Sequence, residues 1–437
     1  MATRQQHPTF REALRFWLKL GFISFGGPTG QIAVMHAELV ERKKWIGEQR
    51  FLHALNYCML LPGPEATQLA TYCGWLLHRT WGGIAAGVLF VLPSAVMLWG
   101  LSWIYVSYGA VPGIAAVFDG LKPAVTAIVA AAVIRIGQRA LKNRTMWLIA
   151  AAAFGAIFFG GVPFPAIVAG AASIGFLGGK FFPGNFPSAA GKGAGASGTV
   201  IDDGADSPSH TRPSWARAAK VLGVSLVLWW TPVILAGAWL GWSGTLAREG
   251  IFFSKAATVT FGGAYAVLPY VGQQAVENYH WLTAPQMLEG LGLAETTPGP
   301  LIMVVQFVGF LGGWNQPGHL SPLLAATLGA AMTTWTTFVP CFLWIFLGAP
   351  YIERLRGNVR LGSTLGAVTA SVVGVVLNLA VWFGRHVFFP RAGSVDWFAL
   401  AVALAAFIAL QRFKVGVVAV VLASGFAGWL WSFAASR

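Results

Sequence analysis

Charge is what this chain has least of. Asp, Glu, Lys and Arg make up 10% of its 437 residues while 56% are hydrophobic, against about a quarter charged in a soluble domain. No soluble fold of this size fits that composition. Acid is scarcer still, with 15 Asp and Glu against 29 Lys and Arg. Three cysteines, Cys58, Cys73 and Cys341, show no metal or redox spacing and read as packing residues that say little about compartment. His36, His53, His78 and His280 scatter over loop edges and His210 falls in a linker. No metal site and no cofactor are expected. The nucleophile, metal or acid–base set that a membrane-embedded enzyme needs is missing, so no enzyme is expected. A sensor or scaffold would carry a folded soluble domain, and no stretch reads as one. The first residues are polar and lead into an amphipathic segment, so no cleavable signal peptide is expected.

Long apolar sequence is abundant. It runs through Ile84 to Tyr108, Gly113 to Ile134, Met146 to Gly161, Pro165 to Phe182, Val221 to Gly241, Pro322 to Leu347, Leu361 to Phe383, Trp397 to Leu410 and Val415 to Phe433. Most approach or exceed the roughly 20 residues that span a bilayer as helix, and their Gly, Ala and Ser allow close helix packing. The chain is also a tandem duplication. Phe25-Gly26-Gly27, Trp45 and Pro62-Gly63-Pro64 recur as Phe261-Gly262-Gly263, Trp281 and Pro298-Gly299-Pro300, each shifted by 236 positions (25 to 261, 45 to 281, 62 to 298). Lys19 pairs with Lys255 and Glu41 with Glu277 at the same offset, which makes chance agreement a poor explanation. Each copy thus holds two apolar segments broken by helix breakers. With these four the count is about 13, arranged as six, one and six. The expected fold is an all-α, polytopic integral membrane protein of two inverted repeats with paired broken or re-entrant helices. Residues 1–183 form the first repeat, 184–214 a flexible cytoplasmic linker, and 215–437 a spacer helix plus the second repeat. The linker is rich in Gly, Ala, Ser and Pro with Asp202, Asp203 and Asp206, a composition that cannot bury a core.

The formal charge of +14 might suggest nucleic acid, but in a polytopic chain it first reports topology. If every segment crosses, about 18 basic residues lie inside and 8 outside. If the broken segments are re-entrant hairpins, about 22 lie inside, 4 outside and 3 (Lys19, Lys122, Lys255) within the membrane. The hairpin arrangement fits better. The loop after the first Phe-Gly-Gly is basic (Arg42, Lys43, Lys44, Arg50), whereas its counterpart from Gly272 to Gly290 has no Lys or Arg, as inverted repeats require. Thr9 to Leu20 reads as an amphipathic helix, with Thr9 and Glu12 as a capping box. Arg11, Arg15 and Lys19 form one stripe, and Phe10, Leu14, Trp17 and Leu18 the other.

The breaks leave backbone N–H and C=O groups without intrahelical partners, which hydrocarbon forbids unless protein, water or substrate satisfies them. The breaks should therefore line a cavity. Half-helices beginning after Gly27, Pro64, Gly263 and Pro300 would point free N–H groups and positive dipole ends into it, and an anion is the natural occupant. Substrate-binding candidates are Lys19, Phe25, Gly26, Gly27, Pro62, Gly63, Pro64, Gln68, Lys255, Phe261, Gly262, Gly263, Pro298, Gly299 and Pro300. Lys255, with no acidic neighbour within a turn, is expected in the site, whereas Lys19 can equally snorkel to headgroups. Asp119 and Lys122, three apart, should neutralise one another. Glu65, directly after Pro-Gly-Pro, and Glu295, three residues before the second one, are the candidates for proton coupling; Glu65 also suits a capping role. Gln68 offers an amide to an oxyanion.

Phe25-Gly26-Gly27-Pro28, the loop through Trp45, and Leu61-Pro62-Gly63-Pro64-Glu65 with Gln68 and Gly74 resemble the signature of the chromate ion transporter family in its long, duplicated form. The second Phe-Gly-Gly and Thr297-Pro298-Gly299-Pro300 are similar to its C-terminal counterpart. The resemblance covers nearly the whole chain apart from the linker. It implies a multi-pass protein of the bacterial cytoplasmic membrane that exports chromate by secondary active transport and confers chromate resistance. Sulfate is the structural analogue, so the implied partners are a chromate or sulfate anion and the lipid bilayer, with no nucleic acid; a homodimer is compatible. Transport of sulfate or another oxyanion, and a passive anion channel, are the alternatives. Glu65 and Gln68 become Leu301 and Val304 in the second copy, so the halves should contribute unequally.

Overall fold

The computed structural model describes residues 7–25, 27–186, 213–351, 359–390 and 394–435. Most of the expected linker, 187–212, lies outside them, as does Gly26. Among the described residues the regular structure is helical, with no β-strand. The first repeat comprises α1 Phe10–Ile23, α2 Gly27–His36, α3 Glu48–Leu60, α4 Glu65–Tyr108, α5 Pro112–Ala140, α6 Arg144–Phe158 and α7 Phe164–Phe181; α8 Trp215–Leu240 is the spacer. The second comprises α9 Thr245–Val259, α10 Ala264–Gln273, α11 Ala284–Thr296, α12 Val304–Asn315, α13 Pro322–Gly348, α14 Val359–Phe388, α15 Trp397–Gln411 and α16 Val417–Ala435. The two series correspond once α4 is divided at His78 and Arg79, whose backbone is not helical (Arg79 φ +55°). Its limbs, 65–77 and 80–108, match α12 and α13. Seven described helices are long and apolar enough to cross a membrane, and α6 and α15 are shorter apolar helices. The chain is an all-α, multi-pass membrane protein.

The repetition extends to single backbone bonds. Both copies continue the second half-helix as a π-helix, Ala37–Arg42 and Gln274–Asn278. Lys43 N–H donates to Glu38 C=O as Tyr279 N–H does to Gln274 C=O, both at 2.9 Å. Trp45 and Trp281 donate through their backbone N–H to Leu39 and Ala275, both at 2.8 Å. Lys44 and His280, again 236 apart, both take positive φ, +51° and +52°. Side chains diverge on this shared frame. Lys43 sits 4.6 Å from the Trp45 ring centroid, a cation–π contact,. At the equivalent place Tyr279 stacks on Trp281 at 4.4 Å.

Each broken segment folds back on itself. Phe252, before the second Phe-Gly-Gly, and Tyr270, after it, have ring centroids 5.2 Å apart, where a straight helix would separate them by about 27 Å. Phe16 likewise meets Trp45 at 5.2 Å. Across the first Pro-Gly-Pro, Tyr57 lies 6.3 Å from Tyr72, and across the second, a methyl on Gly290 would strike Phe307. The four broken segments are hairpins of half-helices. Small residues then dock each second hairpin on the following long helix: Gly74 against Gly82 within α4, and Gly309 and Gly313 of α12 against Gly329 and Ala325 of α13.

The halves exchange their last helices. α6 and α7 pack on α14 of the other repeat, and α15 and α16 pack on α5. Glycine makes the approach possible: Gly175 abuts Ala367 and Ser363, Gly374 abuts Ala150, and Gly120 faces Gly428 with no room for a methyl group,. α1 departs in detail from its sequence reading. Thr9 Oγ accepts from Glu12 N–H at 3.2 Å, but the Glu12 carboxylate is paired with Lys43 at 3.8 Å rather than closing a capping box. Phe10 and Leu18 stay exposed, and Ala13, Phe16, Trp17 and Leu20 form the buried face.

Candidate functional site

The two repeats are joined at their breaks by a reciprocal pair of hydrogen bonds. Gly63 N–H, in the first Pro-Gly-Pro, donates to Thr260 C=O, just before the second Phe-Gly-Gly, at 2.7 Å. Gly299 N–H, in the second Pro-Gly-Pro, donates to Ser24 C=O, just before the first, also at 2.7 Å. Gly63 corresponds to Gly299 and Ser24 to Thr260 at the same 236-residue shift, so the exchange is two-fold in character. Both acceptor residues turn their own hydroxyls back into their helices, Ser24 to Leu20 C=O and Thr260 to Ala256 C=O, each at 2.6 Å. Positive φ at Gly27 (+71°), Gly63 (+121°), Gly262 (+80°), Gly263 (+93°) and Gly299 (+97°) lets the chain reverse at these points,.

This knot places four helix beginnings around one cleft. Its lining is Pro28 and Gln31 of α2, Pro64, Glu65 and Ala66 at the start of α4, Ala264 at the start of α10, and Pro300, Leu301 and Ile302, where a short 3-10 turn leads into α12. Its free space is about 230 Å³, part of it open to the outside. The opening N–H groups of a helix have no intrahelical acceptors, and four dipoles converge with their positive ends inward. Several buried polar atoms near the breaks also make no hydrogen bond with the described residues: Gln31 Oε1, Thr67 Oγ1, Gln68 Oε1 and Ser94 Oγ. Ser94 sits against Gly299, where a methyl would lie 2.8 Å from its Cβ. Such spare capacity calls for a polar occupant or water.

The sequence candidates divide. Gly27, Pro64, Gly263 and Pro300 form or adjoin the helix beginnings, and Glu65 opens α4 within the lining. Pro62, Gly63, Pro298 and Gly299 build the cross-repeat knot. Phe25 is 41% exposed and Phe261 half-buried, both outside the lining. Gln68 Nε2 donates to Pro62 C=O at 2.8 Å, which ties its amide to its own break instead of offering it to a ligand. Lys19 and Lys255 are exposed and absent from the lining, so the expectation of a buried ammonium at position 255 gives way. Its helix turns Phe252, Phe253, Ala256 and Ala257 inward and leaves the lysine outside. Glu295 lies outside the lining, buried, and accepts from Tyr265 Oη at 2.5 Å. Lys122 pairs with Asp119 at 2.8 Å as expected and also with Glu289 of the other repeat at 3.0 Å; Tyr105 donates to that same carboxylate.

Sequence reasoning missed Gln31, whose Nε2 donates to Gly299 C=O at 2.5 Å across 268 residues. Among the described residues no group of three or more His, Cys, Asp or Glu could hold a metal ion.

The family profile described as chromate transporter matches residues 11–176 and 249–429, most of both repeats. The chain belongs to the chromate transporter family. It is 32% identical to a chromate transport protein of Pseudomonas aeruginosa over 427 residues, 95% of this chain and 90% of that one. With a chromate transport protein of Cupriavidus metallidurans it shares 28% identity over 382 residues, 86% and 83% of the two chains. An uncharacterised transporter of Methanocaldococcus jannaschii is 25% identical over 436 residues, 98% and 96% of the chains. No solved structure matches the chain. Membership of this family supports a role in chromate transport, and the relatives are named as transporters, not as enzymes.

Proposed function

We propose that this protein exports chromate from the bacterial cytoplasm by secondary active transport and thereby confers resistance to it. The observation that carries the reading is the cleft between the repeats, where helix beginnings from both halves meet and no lysine enters. A tetrahedral dianion suits backbone N–H groups and dipole ends, which bind charge without demanding a buried cation. In this reading the anion is held by the first turns after Gly27, Pro64, Gly263 and Pro300, and the two halves contribute unequally because Glu65 faces Leu301 across the pseudo-symmetry. Glu65 beside an anion would repel it unless a proton arrives too, which assigns it a part in coupling.

An inverted topology goes with this function. Between the hairpin pairs of the two repeats lie the long limb of α4, then α5, α6, α7 and α8, an odd number of spans, so the pairs enter from opposite faces of the membrane. Alternating access follows from rocking one repeat against the other about the reciprocal Gly63–Thr260 and Gly299–Ser24 bonds. Everted vesicles given radiolabelled chromate or sulfate, with and without a proton gradient, test the proposal. Chromate should accumulate above equilibrium only with the gradient, and sulfate should compete. Equilibration without accumulation would mean a passive channel, and preferential uptake of sulfate a different substrate.

A further inference from the structure

Glu249, in the first turns of α9, is fully buried, and neither carboxyl oxygen has a hydrogen-bond partner among the described residues. The side chain lies in a cradle made by two glycines on neighbouring helices. A methyl on Gly312 of α12 would overlap Oε1, and one on Gly329 of α13 would lie 2.8 Å from Oε2. Trp281 closes the same pocket beside Gly312. The equivalent position in the first repeat, 236 residues earlier, is the buried Ala13, so the acid belongs to one half only.

Among the described residues nothing around Glu249 supplies a counter-charge. α12 and α13 carry no Asp, Glu, Lys, Arg or His, and Cys341 is the titratable residue on them. α8 meets α9 through Trp229 and Val233, while its Arg217 and Lys220 lie in its opening turns. Tyr270 of α10 and Tyr279 face Phe252 next to the cradle, and His280 turns to Val276 C=O. Arg248 and Lys255 of α9 itself are exposed. A bare carboxylate with no donor costs several kcal/mol in such a place, so the packed conformation holds the neutral acid. Polar groups gather at the base of the hairpin, one turn away. Thr245, one turn before Glu249, donates to Gln316 C=O at 2.8 Å, and Asn315, three residues after Gly312, donates to Trp281 C=O at 2.8 Å.

We infer that Glu249 is a proton-binding site of the transport cycle, holding its proton while α9 is packed in the Gly312–Gly329 cradle and releasing it when α9 moves away. α9 links this site mechanically to the cleft, since the segment that begins beside Thr245 ends at Thr260, the acceptor for Gly63. Release of the proton to water, once α9 leaves the cradle, leaves a carboxylate that the cradle rejects, and the α9–α10 hairpin stays shifted with it. The link to anion movement rests on the chromate reading above; the proton site does not.

A carbodiimide that modifies protonated carboxyls, applied to the purified full-length protein in proteoliposomes, tests the site without reference to substrate. Modification mapped to Glu249 by mass spectrometry should fall about tenfold between about pH 6 and about pH 9. No modification, or modification independent of pH, overturns the proposal. Glu249→Gln keeps the shape and fixes the neutral state. Compared by chromate counterflow and under an imposed proton gradient, it should lose the stimulation by the gradient that is expected of the parent, about tenfold. A variant that still responds to the gradient overturns the proposal as well. If the parent moves no chromate in either assay, the substrate reading falls alone, and the pH dependence of labelling decides the proton site.

Discussion

Gly63 and Gly299 tie the repeats together through one N–H each, and their φ values of +121° and +97° are unsuited to L side chains,. The surroundings of the break glycines differ. A methyl at Gly27 meets nothing within 4 Å, whereas one at Gly299 lies 2.8 Å from Ser94 Cβ. Gly27→Ala should therefore cost only backbone strain, about 1–2 kcal/mol, and Gly299→Ala a further 1–3 kcal/mol or so from overpacking. Denaturation of both purified variants in one detergent should rank Gly299→Ala as the less stable; the reverse order would mean the knot is not tightly packed. The exposed position of Lys255 makes the opposite kind of prediction. Lys255→Gln should leave chromate affinity of the purified protein within about twofold of the parent, since a contacting charge-assisted bond would be worth about tenfold or more. A larger loss would bring the lysine into the site in a conformation other than this one.

At the level of the helix, stability depends on glycine faces that let backbones touch. α16 docks on α5 where Gly428 faces Gly120 and Ala116, and in a bilayer such contacts are held by van der Waals packing, without a hydrophobic force between helices. Gly428→Leu should push α16 off α5, because its Cβ alone already falls within 2.7 Å of the Gly120 backbone. Cysteines introduced at Val117 and Gly425, neighbours across this contact, should crosslink in the parent background and fail to do so with Gly428→Leu. Retained crosslinking would show that the helix pair tolerates the bulk by sliding. The Lys122–Glu289 ion pair joins α5 to α11 in the same cross-repeat sense. With Asp119 mostly exposed, Glu289 is the better-buried partner of that lysine.

For the whole molecule, the consequence of duplication is a pair of equivalent loops whose chemistry differs. Glu41 and Glu277 occupy the same place in the two copies, both exposed, one within a basic loop and one within a loop free of Lys and Arg. Under the positive-inside rule only the first belongs on the cytoplasmic face. Glu41→Cys and Glu277→Cys should react with an impermeant maleimide from opposite sides of the membrane, Glu277→Cys in intact cells and Glu41→Cys in everted vesicles. Labelling of both from one side would make the repeats parallel and remove the alternating-access scheme.

The helical membrane class, the duplication and the four breaks are legible in the chain, because apolar runs, Gly and Pro act locally and the shift of 236 can be read off it,. The hairpin reading of the broken segments also came from the loops, through the distribution of Lys and Arg. Which break meets which comes from long-range packing alone: Gly63 with Thr260 and Gly299 with Ser24, and the exchange of α6 and α7 for α15 and α16. Which face of a helix is inside was equally hidden. One residue of rotation turns a side chain by about 100°, and that put Lys255 outside, buried Glu249 on the same helix, and brought Gln31 to a carbonyl far away in sequence. Those placements follow from long-range contacts between helices, and an isolated segment carries no record of the neighbour against which it will pack.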